Sequence, residues 1–384
     1  ELHSSAVLLG GTFSAPDVTR LDLAGKALLI VVDYTRPLSA TIFGAPQAAM
    51  DRGATAVLLV SNRDTAQFRQ RVASQPRERV TNPSDPDFAA PALELRDGAL
   101  VDMLHWAAVD LAVIRASPTP VVRELPGLTV GLGLKEVILE SATSPNTIGL
   151  LEGSDPVLKR EYLVFSAHMD HVGTAGSGQC QARGGDSICN GADDDGSGTV
   201  SVVELAQAFS QSGARPKRSV LFLTVSGEEQ DLWGSAYFTR HPTVPLSQIV
   251  ADLNIDMVGR NWKDTIVAIG KEHSDLGTTL ERVARDHPEL HMVPIDDRWP
   301  EQNFYRRSDH FNFARRGVPI LFFFNGVHDD YHQVSDSPDK IDAEKQSRIV
   351  KLLFYLGQEI ANVPQRPQWN PASYQNIVEL RPAN

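Results

Sequence analysis

The sequence predicts an α/β protein: a mixed, mostly parallel sheet sandwiched by helices, preceded by a smaller β-rich domain. Three observations carry this reading. Tyr162–Ser166, Ser219–Val225, Ile249–Ile255 and Ile320–Phe324 are largely apolar runs of strand length, the pattern of strands buried on both faces. Thr199–Ser210 and Ala343–Ala361 place apolar residues at helical spacing, so strands alternate with longer helices. Before about residue 125 the pattern differs, with short β-branched runs separated by turns.

In chain order, Lys26–Val32, Ala56–Val60, Leu111–Ile114 and Val121–Leu125 are the β-branched runs of the first part. Pro46–Arg52 and Arg96–Trp106 read as short helices, and Arg77–Pro91 as a polar, proline-rich loop. With 384 residues the chain exceeds one ordinary core, and the expected division is 1–125, 126–363 and a surface-bound tail, 364–384. The only histidines of the first part, His3 and His105, sit in no acidic cluster, so that domain is expected to be non-catalytic.

Composition narrows the function classes. Hydrophobic residues at 42% and charged residues at 22% exclude wholesale disorder. A formal net charge of -12 with no basic run offers nothing to a phosphate backbone, so nucleic acid is not an expected partner. The longest apolar runs, Val220–Leu223 and Pro319–Phe324, fall far short of the ~20 residues of a membrane-spanning helix. The chain starts at Glu1 without a charged-then-apolar leader, as a processed or trimmed chain would. Cys180 and Cys189 flank a stretch rich in Gly, Ser and Gln, where a loop-closing disulfide fits and a zinc knuckle does not. That pairing points to a secreted or periplasmic protein.

The chemistry lies in where His and acidic residues fall relative to the strands. His168 follows Tyr162–Ser166, Glu228 and Glu229 follow Ser219–Val225, Asp256 ends Ile249–Ile255, and His332 lies in the loop after Ile320–Phe324. Asp194 opens the helix containing Thr199–Ser210. In open α/β sheets ligands gather beyond the carboxyl ends of strands, so these distant residues are expected to converge. Two imidazoles and three carboxylates suit Zn²⁺, and five ligands exceed one tetrahedral site. Two zinc ions sharing a bridging carboxylate and a hydroxide would use all five, the three carboxylates and the hydroxide offsetting four positive charges.

A family resemblance rests on these segments. Ser166-Ala167-His168-Met169-Asp170-His171-Val172-Gly173, Asn190–Gly198, Ser226-Gly227-Glu228-Glu229, Asn254-Ile255-Asp256-Met257 and Tyr331-His332 resemble the co-catalytic two-zinc aminopeptidases secreted by bacteria. Arg307-Ser308-Asp309-His310-Phe311 and Asp336–Ile341 match further landmarks in order. The resemblance implies the zinc exopeptidase fold, peptide substrates and two zinc ions per chain. It makes Asp194 the bridge, pairs His168 with Asp256 and Glu229 with His332, and gives Glu228 the part of general base. Asp170 would stand behind the ligands and orient them, and Tyr331 would stabilise the oxyanion. Ala24–Val32 and Ala48–Leu58 resemble the protease-associated domain of many secreted peptidases.

Alternatives stand beside each assignment. His171 competes with His168, and Asp193 or Asp195 with Asp194; Glu228 competes with being a solvated charge, and Tyr331 with being a packing aromatic. His310 is read as a structural support, and Asp309 as pocket wall or helix cap. Asp193-x-Asp195-x-Ser197-Gly198 with Glu204 has the spacing of a calcium loop, but no helix is expected before it. Carboxypeptidases and single-zinc glutaminyl cyclases share the scaffold, and Arg298, Arg306 and Arg307 keep the carboxypeptidase option open. A non-catalytic receptor has no reason to bury so many carboxylates together.

Overall fold

The computed structural model describes residues 2–35, 40–73, 92–100, 108–133, 137–177, 179–211, 213 and 215–378. It divides into two compact units, Glu1–Ser141 and Ala142–Asn384.

The first unit holds a five-stranded sheet made of β1 (Leu2–Gly10), β2 (Ala27–Val32), β3 (Ala56–Ser61), β4 (Ala92–Arg96) and β5 (Val121–Leu132), in the order β4-β3-β2-β1-β5. The first four strands run parallel, and β5 closes the edge antiparallel to β1. Leu8, Leu29 and Val60 face one core, while Leu9, Leu28, Ile30 and Val57 face the other, so both sides of the sheet are covered. The run Leu111–Ile114 is not a strand. It opens a helix, Leu111–Ala116, because the Asp110 carboxylate accepts hydrogen bonds from the Ala112 and Val113 amides and caps the first turn. The helix expected at Pro46–Arg52 spans Ala40–Asp51, with Pro46 inside it. Of Arg96–Trp106, Asp97–Ala99 forms a single 3-10 turn and residues 101–107 lie outside the described set, as does the whole of the expected loop Arg77–Pro91. Pairing of β5 with β1 continues to Leu132, beyond the 125/126 boundary read from composition.

The second unit is built on β6 (Thr147–Leu151), β7 (Tyr162–His168), β8 (Ser219–Val225), β9 (Ile249–Ile255), β10 (Thr265–Ile269), β11 (Val293–Ile295) and β12 (Ile320–Phe323). Their order is β11-β10-β12-β9-β7-β8-β6, parallel from β12 through β8, with antiparallel joins at β10/β12 and β6/β8. The four runs read as doubly buried strands are the centre of this sheet. Leu163, Phe165 and Ala167 face helices Gly196–Gln211 and Ala343–Asn362, while Val164, Leu221 and Phe322 face the opposite core. That alternation is the period-two geometry of a strand with a layer on each side. The tail packs onto this unit through a short helix, Pro371–Ile377, whose Ile377 is buried, and the Trp369 indole donates to the Gly317 carbonyl at 2.9 Å. Among the described residues no helix is long and apolar enough to cross a membrane.

Candidate metal centre and active site

The carboxyl ends of β7, β8 and β9 lie side by side, and each delivers a ligand-type side chain. His168 is the last residue of β7; its Nδ1–H donates to the Asp170 carbonyl at 3.1 Å, which turns Nε2 inward. There Nε2 lies 3.2 Å from Asp194 Oδ1 and 3.7 Å from Asp256 Oδ1. On the other side His332 Nε2 lies 3.1 Å from Asp194 Oδ2 and 3.2 Å from Glu229 Oε2. Two triads of ligand atoms close enough to share an ion result, His168–Asp194–Asp256 and His171–Asp194–Glu229, with Asp194 common to both.

All five residues read as metal ligands are therefore together. The structure also adds one. His171, weighed in the sequence only as a substitute for His168, joins the second cluster instead, with Nδ1 2.9 Å from Glu229 Oε1 and its ring edge-on to His332. It reaches there because the chain turns after Asp170, and the φ of +62° at Gly191 lets that backbone press against the imidazole, where a Cβ would lie 2.5 Å from His171 Cγ. A turn of this kind leaves no periodic signature in sequence.

The three consecutive aspartates separate by what they face. Asp193 accepts from the Gly259 amide at 2.7 Å and pairs with His328 at 3.2 Å. Asp195 is buried and accepts from the amides of His168, Gly198 and Met257 at 3.1, 2.8 and 3.2 Å, tying the ends of β7 and β9 to the helix Gly196–Gln211. Of the three, only Asp194 contacts the His168, His171 and His332 imidazoles and joins both triads. Its backbone is held by Asp336, whose Oδ2 accepts from the Asp193 and Asp194 amides at 2.9 and 3.3 Å. Gly198 is demanded here, since a Cβ would stand 2.2 Å from the Ile255 carbonyl and 2.4 Å from the Asp195 carboxylate. With both flanking aspartates committed to backbone amides and Glu204 on an exposed face, the calcium-loop reading has no structural support.

Around the cluster, Asp170 accepts the Glu228 amide at Oδ1 (3.1 Å) and the Glu229 amide at Oδ2 (3.3 Å), fixing the turn after β8. Ser308 donates to Asp256 Oδ2 at 2.9 Å. Glu228 lies outside both triads but lines the same pocket as Asp194, Glu229, Asp256 and Tyr331, and the Tyr331 ring stacks on His332 at 3.9 Å. His310 and Asp309 lie outside both triads. His310 is buried, donates from Nε2 to the Tyr305 carbonyl at 2.8 Å and stacks on Phe322, and burial holds its pKa down at about 3. Asp309 is likewise buried, and desolvation raises its pKa to about 7. Cys180 and Cys189 are disulfide-bonded and pack with Val172 and Val334, bracing the loops that carry His171 and His332.

The electrostatics follow from burial and crowding. Burial works against the Asp194 anion, yet the His168 and His332 imidazoles outweigh it and hold this carboxyl below the usual range. Burial pushes Glu228 well up, and the negative Asp309, Asp256 and Asp194 reinforce it against the pull of His168. Burial likewise disfavours the His332 imidazolium, but Asp194 and Glu229 raise it to about 9. The donor set suits a cation better than protons. Buried His332 Nε2, Glu229 Oε1, Asp256 Oδ1 and both ring nitrogens of His171 have no properly aligned hydrogen-bond partner, although each carboxylate oxygen or imidazole nitrogen among them can coordinate zinc.

Overlapping His/carboxylate triads at the carboxyl rim of a mixed sheet define a candidate two-metal centre of the α/β class. The sequence profile of peptidase family M28 matches residues 146–357, more than half of the chain, and the chain belongs to that family. Among relatives, the leupeptin-inactivating enzyme 1 of Streptomyces exfoliatus is 29% identical over 200 residues, covering 52% of this chain and 39% of that protein. A probable leucine aminopeptidase of Arthroderma otae is 25% identical over 214 residues, 54% of this chain and 56% of that one. An aminopeptidase structure from Aneurinibacillus sp. strain AM-1 aligns over 95% of this chain and 76% of its own, at 20% identity and a TM-score of 0.48. The chain thus spans about two-fifths to just over half the length of these two sequence relatives.

Proposed function

We propose that this protein is a zinc exopeptidase that hydrolyses the peptide bond nearest a substrate's amino terminus. One observation carries the reading: Asp194 presents its two oxygens to two separate imidazole–carboxylate groups, with Glu228 left outside both but in the same pocket. His168, Asp194 and Asp256 would hold one zinc ion; Asp194, Glu229 and His332 would hold the second, with His171 beside it. Two such ions supply Lewis acidity, polarising the scissile carbonyl and lowering the pKa of water.

The chain's own groups do the rest. Glu228 removes a proton from the attacking water and returns it to the departing amine, work that a positioned carboxylate accelerates by about 10²–10⁴-fold. The Tyr331 hydroxyl donates to the oxygen on which negative charge develops. Asp170 keeps Glu228 and Glu229 in register through their amides. The clustered acids receive the α-ammonium of the substrate, and Phe324 and Val327 receive its first side chain. Residues 1–125 are read as a protease-associated domain, and the disulfide supports a secreted or periplasmic setting.

Aminoacyl-anilide and N-acetylated peptide reporters, assayed with and without a chelator, test this. Chelator-sensitive release from free amino termini only is the expected result. Cleavage of blocked peptides from their carboxyl ends would favour the carboxypeptidase reading, which Arg307 on the pocket wall keeps specific.

A further inference from the structure

The pocket beside the acidic cluster contains a cation that none of those acids pairs with. Arg307 lines it and is exposed, its guanidinium carbon 4.7 Å from the centre of the Phe304 ring. Among the described residues that guanidinium has no carboxylate or carbonyl partner. Phe304 belongs to an aromatic wall: it packs on Phe324 at 4.8 Å and meets Trp299 edge-on, and Trp299 stacks on Trp262. Arg298 caps the outer end of this wall, 5.1 Å over Trp262. Arg306 instead lies over Phe311 and does not line the pocket.

A guanidinium laid on an aromatic face is pre-oriented while its N–H fork stays free, and that fork matches a carboxylate. In a chain of net charge -12, an unpaired arginine at an acidic pocket needs a reason. The pocket acids do not supply it: among the described residues none of Asp194, Glu228, Glu229 and Asp256 pairs with Arg307. We propose that Arg307 is a specificity-determining residue that receives a carboxylate of the substrate on the leaving side of the scissile bond. This rests on the exopeptidase reading. The ammonium end and first side chain take the acidic and apolar walls, so an anion reaching Arg307 comes from beyond the bond: the free carboxyl terminus of a short peptide, or an Asp or Glu side chain following the bond.

The test uses zinc-loaded protein and matched pairs, Leu-Leu against Leu-Leu-amide and Leu-Glu-amide against Leu-Gln-amide. The wild type is expected to show a KM about three- to tenfold lower for the acidic member of at least one pair. In Arg307→Gln the ratio falls towards one, and Arg307→Lys keeps part of it. The pair that responds identifies the carboxylate. Equal shifts in both members, or a response confined to Glu-Leu-amide against Gln-Leu-amide, would overturn the proposal. Calorimetric binding of Leu-Leu and Leu-Leu-amide to Glu228→Gln, with and without Arg307→Gln, reads the same ratio without turnover. Binding that depends on Arg307 in a protein that cleaves none of these peptides would sink the catalytic reading and keep the subsite; cleavage with no Arg307-dependent ratio would do the reverse.

Discussion

His168 and His332 face each other across one carboxylate, the Nε2 of His168 lying 3.2 Å from Asp194 Oδ1 and that of His332 3.1 Å from Asp194 Oδ2. Neither imidazole needs the other's strand to reach this position. His168 is delivered by the end of β7 and His332 by the loop after β12, and Asp194 is fixed between them by Asp336 through the backbone. A site assembled this way is only as well placed as the groups behind it, and those groups give the first expectation.

Asp170 holds both glutamates through their amides and supplies the carbonyl that orients His168. Replacing its side chain, Asp170→Ala, frees the turn after β8 without touching a ligand. Such supporting contacts are worth about 10–100-fold in metal affinity or activity. Zinc competition with a chromophoric chelator should weaken by that order while the circular dichroism spectrum stays native. Unchanged affinity and turnover would remove Asp170 from the account.

The general-base assignment predicts a dissociation of binding from chemistry. Glu228→Gln should keep its zinc and its affinity for a non-cleaved peptide, and lose about 10²–10⁴-fold in kcat. Steady-state kinetics alongside metal analysis checks this; wild-type turnover in the variant refutes the role.

Arg218 offers a test of the fold rather than the site. Fully buried, it pairs with Glu161 at 2.7 Å and donates to the carbonyls of Ile360, Val363 and Pro364, locking the end of helix Ala343–Asn362 to the start of β8. Arg218→Met strands these acceptors and should cost about 3–5 kcal/mol in urea unfolding. Arg366→Met, which removes the second, exposed partner of Glu161, should cost under about 1 kcal/mol. Equal losses would contradict the burial argument.

Lys345 should leave a signature in alkaline solution. Burial on helix Ala343–Asn362 lowers its pKa from 10.5 to about 8, outweighing the pull of Asp193 and Asp342. Below pH 8 the folded and unfolded chains are both protonated there. Between about pH 8 and 10.5 the unfolded chain binds more protons, so this group raises stability as pH rises, by up to about 2–3 kcal/mol across the window. The difference in unfolding free energy between wild type and Lys345→Met, followed from pH 7 to 10.5, should grow in favour of the wild type; parallel curves would show that Lys345 keeps its ordinary pKa.

Much of this was legible in the sequence, for identifiable reasons. β7, β8, β9 and β12 announce themselves because strands covered on both faces must be apolar throughout, and Gly196–Gln211 and Ala343–Asn362 because one face of each meets the sheet. The convergence of His168, Asp194, Glu229, Asp256 and His332 is legible because each ends or follows a strand, or opens the next helix, at the carboxyl rim where such sheets gather ligands. Leu111–Ile114 has the β-branched composition of a strand, but the Asp110 cap starts a helix there. His171 stands in the sequence only as an alternative to His168, because its position depends on a loop turn and a close glycine contact, neither of which has a period. Among three identical side chains Asp194 is singled out only by the resemblance and the Gly-Ser-Gly that follows; the parts of Asp193 and Asp195 depend on which backbone amides each one meets.

Metal content per chain is the most direct test of the shared carboxylate. Purified protein equilibrated with zinc and freed of excess should carry two ions by mass spectrometry of the metal, and Asp194→Ala should lose both together while His332→Ala retains the one beside His168. A wild type that saturates at one ion, or an Asp194→Ala variant that still holds two, would contradict the account.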